Sequence, residues 1–184
     1  MVADDLELHP GDRVLDVGCG PGRLAMAFAE RVAPQGSVEG VDASPEMINR
    51  ASSQALKRGV PANFRVGYAQ QLPFDEGTFD AVACTLALHH VAQDDQLTAV
   101  EEMYRVLKPG GRLVIAEFHK GKRRRHPGPR WVRHSTEDML DTALELVKSA
   151  GFTDAATGGT TFGWLGKITA RKPLAASAQA PDSQ

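Results

Sequence analysis

The sequence predicts an α/β domain built on a mostly parallel sheet, and three observations carry that expectation. Short apolar runs alternate with amphipathic, helix-spaced segments along most of the chain. The first run, Val14 to Val17, enters the glycine-rich turn Gly18-Cys19-Gly20-Pro21-Gly22, behind which Leu24, Ala25, Ala27 and Phe28 begin a helical pattern. Near the end, two runs separated by Gly158-Gly159 read as an antiparallel hairpin.

Bulk properties exclude several classes. A chain of 184 residues is one domain with a sizeable core, and its net charge of −2 exerts no global pull toward nucleic acid or membrane. No apolar run approaches the ~20 residues needed to span a bilayer. The start, Met-Val-Ala-Asp-Asp, lacks the basic and apolar regions of a secretion signal. Cys19 and Cys84 form neither a Cys-x-x-Cys pair nor a zinc-type spacing. The expectation is a reduced, cytoplasmic, single-domain protein.

Each element has its own signal. Asp4 to Gly11 is a lead-in, and His9-Pro10-Gly11-Asp12 turns into the first strand. The glycines at 18, 20 and 22 strip Cβ atoms from the turn, and the helix start behind it offers free N–H groups to an electron-rich ligand. A dinucleotide fingerprint is Gly-x-Gly-x-x-Gly, and here the third glycine comes one place early. Ala33-Pro34-Gln35-Gly36 ends the first helix, and Ser37 to Asp42 is the second strand. Asp42 lies near the ~20-residue spacing at which a carboxylate reaches ribose hydroxyls. Its alternative role as a helix cap is better filled by Ser44, with Pro45 in the first helical position. A helix over 45–57 turns Met47, Ile48, Ala51, Ala55 and Leu56 inward, and Asn63 to Gly67 alternates as a third strand.

The second half continues the alternation. Ala81 to Leu86 is an apolar strand followed by the tandem His89-His90. Asp94 to Leu107 is an amphipathic helix with Leu97, Val100, Met103, Tyr104 and Leu107 on its core face, closed by Lys108-Pro109-Gly110-Gly111. Arg112 to Phe118 is a fifth strand. Thr136-Glu137-Asp138 starts a last helix with Met139, Leu140, Ala143, Leu144 and Val147 inward. Thr160 to Ala170 is the closing strand. From Pro173 onward Ala, Ser, Gln and Pro dominate, so the domain is expected over 1–172 and a disordered tail over 173–184.

Asp16-Val-Gly18-Cys-Gly20-Pro-Gly22 closely resembles the first motif of class I S-adenosylmethionine-dependent methyltransferases. So do Asp42 closing the second strand, Gly67-Tyr68-Ala69-Gln70-Gln71-Leu72-Pro73-Phe74, Phe79-Asp80-Ala81-Val82 with Leu88-His89-His90-Val91, and Leu107-Lys108-Pro109-Gly110-Gly111. The resemblance is to the ubiquinone/menaquinone-biosynthesis-like branch and runs from about residue 8 to 118. It implies a Rossmann-like, seven-stranded, mostly parallel sheet with a C-terminal antiparallel hairpin. It also implies S-adenosylmethionine as cofactor and a small-molecule methyl acceptor. The cofactor residues it implies are Asp16, Gly18, Cys19, Gly20, Gly22, Asp42, Ala43, Met47, Tyr68, Ala69, Gln70, Thr85 and Leu86. Tyr68 stands where the family usually has an aspartate for the adenine amino group; a phenol accepts that bond or lies along the base. His90, with His89 beside it, is the candidate base, because the first and fourth strands flank the point where strand order reverses.

Residues 119–134 break the pattern: Lys120, Lys122, Arg123, Arg124, Arg125, Arg130 and Arg133 occur with no acid, around Pro127-Gly128-Pro129 and Trp131. A solvated loop is the plain reading, and an electropositive lip that attracts an anionic acceptor is the sharper one. An RNA-modifying enzyme using this loop is a rival, opposed by the shortness of the cluster and by the lack of an Asn-Pro-Pro-Tyr-type motif. A non-catalytic cofactor-binding subunit is the other. Family members commonly carry helical residues before the first motif, and the short lead-in here implies an open site, a partner subunit or dimer covering it, or a start further upstream.

Overall fold

The computed structural model describes residues 2–119 and 139–175. The basic segment 120–134, Thr136 to Asp138 and the tail from 176 lie outside the described residues. The chain runs α1 (Val2–Asp5), β1 (Arg13–Val17), α2 (Arg23–Val32), β2 (Ser37–Asp42), α3 (Pro45–Arg58), β3 (Asn63–Val66) and β4 (Phe79–Thr85). Then follow two short 3-10 turns (Leu88–His90, Gln93–Asp95), α4 (Gln96–Val106), β5 (Leu107–Phe118), α5 (Met139–Ser149), β6 (Thr153–Gly159) and β7 (Leu165–Arg171). The sheet order is β3-β2-β1-β4-β5-β7-β6, and β7 is antiparallel to both of its neighbours. The other neighbouring pairs are parallel. Strand order therefore reverses between β1 and β4, and the crevice at their carboxyl ends is the natural ligand position.

Alternation along the strands divides the core in two. Leu15, Val17, Val82, Leu113 and Ile115 pack with Met103 of α4 and Val147 of α5. Val14, Ala81, Ala83 and Val114 pack on the other face with Ala25, Phe28 and Ala29 of α2. Helix α3 starts as its sequence predicts: Ser44 Oγ accepts from the Met47 N–H at 3.3 Å and Pro45 takes the first position. Its buried stripe is Ile48, Ala51 and Ala55, whereas Leu56, expected inward, lies one position round the helix and is 84% exposed.

Three boundaries differ from expectation for identifiable reasons. Lys108-Pro109-Gly110-Gly111 does not end the helix as a separate turn. Strand β5 already begins at Leu107, paired with Phe79, and Arg112 pairs with Ala81, so residues 108–111 bulge. The bulge is held by Gly110 N–H to Lys172 O, Lys172 N–H to Gly111 O, and Lys108 Nζ to Asp80 Oδ1 at 2.6 Å. Gly158 and Gly159 do not turn the chain, because they pair with Lys167 and Gly166 inside β6. The turn comes after them, where Thr160 Oγ donates toward the Phe162 and Leu165 carbonyls, so β7 starts at Leu165. The lead-in contains α1, tied down by Lys167 to Asp5, Arg31 to Asp4 at 2.7 Å and Arg112 to Glu7 O at 2.6 Å. Among the described residues no helix is long and apolar enough to cross a membrane.

The segment between β3 and β4 borders the crevice and has little regular structure of its own. Arg105 of α4 supplies what it lacks, donating to Phe74 O at 2.8 Å and Leu72 O at 3.1 Å, while Glu102 accepts from the Leu72 N–H at 2.8 Å. The two side chains also pair with each other, which holds the Glu102 carboxyl below its usual range. Arg105→Ala removes the donor to the Leu72 and Phe74 carbonyls and leaves Glu102 with only the Leu72 N–H of these donors. It is expected to cost about 1.5–3 kcal/mol, the scale for bonds to a charged group. Urea unfolding reads the loss, and amide exchange should rise first at Leu72 and Phe74.

Candidate active site

The glycine turn folds back onto β2. Gly18 N–H and Cys19 N–H both donate to Val41 O, at 2.7 and 3.0 Å. Asp42 accepts the Gly20 N–H at 2.8 Å on one carboxylate oxygen and the Ser44 N–H at 2.9 Å on the other. The carboxylate thus braces the turn as well as facing the crevice, a task its spacing did not reveal. The three glycines have different reasons to be glycine. A Cβ on Gly18 would lie 2.2 Å from the Ala87 Cβ, and one on Gly22 would lie 2.8–2.9 Å from Phe64 and Ala51. A Cβ on Gly20 would meet nothing within 4 Å. All three have positive φ, of +69°, +52° and +78° in chain order.

Beside the turn lies a cavity of about 310 Å3. Of the residues singled out from sequence, Gly18, Asp42, Ala43, Tyr68, Ala69, Gln70 and His90 line it. Asp16, Cys19, Gly20, Gly22, Met47, Thr85 and Leu86 are not among its lining residues. Sequence reasoning missed Gly67, Cys84, Ala87, Val91 and Asp95, which also line it. Only Gly67 carried a signal, as the glycine directly after an alternating strand. Burial pushes both cysteine thiols far above their ordinary range, so neither is a nucleophile at neutral pH.

The chain leaves β4 through a kink. Thr85 makes the last β4–β5 pair, with Ala116, and Leu86 then takes φ +53° while its N–H still donates to Ala116 O. A branched side chain in this region is strained, and such residues gather at functional sites. The kink delivers Leu88–His90 against β5, where the His89 ring Nδ1 lies 2.9 Å from Glu117 Oε2 and the His89 N–H donates to Oε1 at 3.4 Å. Gln96 steadies the turn by donating to Leu88 O and Val91 O. His89 and Glu117 line a second cavity of about 240 Å3, and Leu88 and Val91 belong to the walls of both. His90 is exposed at the rim of the first.

A model of the methyltransferase domain matches residues 14–111, more than half of the chain. The chain belongs to the class I S-adenosylmethionine-dependent methyltransferases. It is 41% identical over 143 residues to a demethylmenaquinone methyltransferase of Symbiobacterium thermophilum, covering 76% of this chain and 53% of that one. A demethylmenaquinone methyltransferase of Geobacillus sp. is 31% identical, over 86% of this chain and 78% of the relative. Among solved structures, a SAM-dependent methyltransferase from Aquifex aeolicus superposes with a TM-score of 0.75 at 25% identity, over 92% of this chain and 87% of that one. Several curated relatives are longer, and the chain spans about half of the Symbiobacterium protein.

The residues of this methyltransferase fit the cofactor. Each Asp42 oxygen takes one backbone N–H and keeps acceptor capacity for ribose hydroxyls. Gly20 leaves bare backbone. Asp16 Oδ2 is buried without a partner, and burial raises that carboxyl to about 7, the Asp42 charge adding to the effect and the Ala25 N–H opposing it. A cationic group, or a water it orients, would satisfy that oxygen.

Two expectations follow from this geometry. Gly18→Ala drives a methyl into Ala87 at a strained φ and should cost about 2–4 kcal/mol. Gly20→Ala should cost only about 1 kcal/mol, and Gly20→Val should fold yet weaken S-adenosylmethionine; thermal unfolding and calorimetry separate the two sites. For Asp16, the folded carboxyl titrates above its unfolded value of about 3.9. The folded state therefore binds the extra proton, and free-protein stability declines as pH rises from about 4 to 7, then levels. Cofactor affinity should run oppositely, gaining up to about tenfold per pH unit on approach to 7, since an ammonium group needs the ionised form. In Asp16→Asn both slopes should vanish.

Proposed function

We propose that this chain transfers the methyl group of S-adenosylmethionine to a small ring acceptor bearing an ionisable hydroxyl, of the quinol type named for its relatives. One observation carries the reading: the cavity at the glycine turn and the cavity at His89 and Glu117 adjoin across Leu88 and Val91, which suits a donor in one and an acceptor in the other. S-adenosylmethionine supplies an electrophilic methyl on a positively charged sulfur. The chain's own contribution is alignment: Asp42 and the glycine turn hold the donor, and Gln96 holds the wall between the cavities. Leu88, Val91 and Ala143 give the acceptor cavity apolar walls. The seven Lys and Arg of 120–133 follow directly on β5, whose carboxyl end carries Glu117, and this supports an anionic acceptor.

Labelled methyl transfer tests the reading, with a short-prenyl demethylmenaquinol and cell RNA offered separately. Label should enter the quinol. Asp42→Ala should weaken S-adenosylmethionine and S-adenosylhomocysteine alike by about 1.5–3 kcal/mol, since the ribose is common to both. Label in RNA alone would assign the basic segment to a nucleic acid instead.

A further inference from the structure

We infer that His89, held by Glu117, is the proton acceptor for the methyl acceptor's hydroxyl, and that the second cavity binds that hydroxyl on a flat ring. The inference rests on the reading that this cavity holds the acceptor. His90, favoured by the sequence pattern, is exposed at the rim of the other cavity. His89 is held by Glu117 of β5, a side chain 1% exposed that contacts both its ring and its backbone N–H. A carboxylate only accepts, so the Glu117 contact places the imidazole proton on Nδ1 and leaves the lone pair on Nε2. This is the arrangement of a positioned base: the buried anion fixes ring orientation and tautomer and offsets the charge that forms when Nε2 takes a proton.

The step balances. The acceptor O–H bond breaks, its electron pair stays on the acceptor, and the proton forms an N–H bond on Nε2 before passing to water. The electron-rich ring carbon then bonds the methyl as the S–CH3 bond breaks with its electrons left on sulfur. Loss of that carbon's own hydrogen as a proton, with return of a proton to oxygen, restores the aromatic hydroxyl. Glu117 touches neither acceptor nor cofactor and is a positioning residue.

His89 also heads a row of aromatic rings. His89 packs against Phe118, with centroids 5.1 Å apart, Phe118 stacks on Trp164 at 5.7 Å, and Phe162 follows at 5.6 Å. The row starts at His89 on the wall of the second cavity and passes through Phe118 at the end of β5 to Trp164 and Phe162 before β7; these last three are not among the residues lining the cavity. Among the described residues, titratable groups beside the pair are His90, whose ring centroid lies 4.0 Å from that of His89, and Cys84 of β4, which feels the Glu117 charge. The Cys84 thiol stays protonated through burial and the nearby Glu117 and Asp16 charges.

Histidine 15N spectra of the S-adenosylhomocysteine-loaded protein test the inference without turnover, with His89→Asn identifying the signals. At pH 8 His89 should show a protonated Nδ1 and a bare Nε2, and titration with 1,4-dihydroxynaphthalene should move Nε2. A protonated Nε2 in the free protein, or an Nε2 that stays still throughout the titration, overturns it. In turnover with the demethylmenaquinol, His89→Asn should lower kcat about 10²-fold and abolish the acidic limb of its pH profile. S-adenosylmethionine affinity should be unchanged. Glu117→Gln should lower kcat about tenfold with KM little changed and mix the two tautomers. An unaltered pH profile in His89→Asn overturns the assignment. If the parent protein does not turn over but Nε2 still responds to the naphthol, the activity reading falls while the binding site stands.

Discussion

The close approach of Gly18 to Ala87 is the constraint on which the rest of the site depends. With 2.2 Å between a hypothetical Cβ and a real one, only bare backbone allows the turn after β1 and the turn after β4 to meet. Val41 O ties the same turn to β2 through two N–H groups. Three strand ends are thereby drawn together at the place where sheet order reverses, and two cavities with a common wall result. The glycine commonly credited to ligand approach here serves protein packing first; Gly20 is the one left open.

Two buried carboxylates stand on either side of this junction and are treated differently. Asp16 Oδ2 has no partner among the described residues, and burial favours the protonated form of that carboxyl. Glu117 is as deeply buried but engaged by His89 through two contacts. An unsatisfied buried acceptor is costly, so a cationic partner at Asp16 would be stabilising. The pairing with Glu117 fixes the orientation of the His89 ring.

What the sequence determined by itself was local. Strand and helix order, the Ser44-Pro45 cap and the stripes Ile48-Ala51-Ala55 and Leu140-Ala143-Val147 all follow from short-range spacing, and the structure has them. Six of the thirteen residues marked for the cofactor line the cavity beside the glycine turn, because Gly18, Asp42-Ala43 and the 68–70 segment belong to motifs that are contiguous in the chain. Tertiary structure decided what depends on partners distant in sequence. Glu117 looks like one polar residue at the end of an apolar strand until the Thr85–Ala116 register and the Leu86 kink bring His89 to it across 28 positions. Leu107 to Gly111 reads as a helix end until Lys172 supplies the bonds that make it a bulge. Hydrophobic period and turn chemistry act within a few residues, whereas strand register and close packing are set by the whole sheet, and the contact of His89 with Glu117 belongs to the second kind.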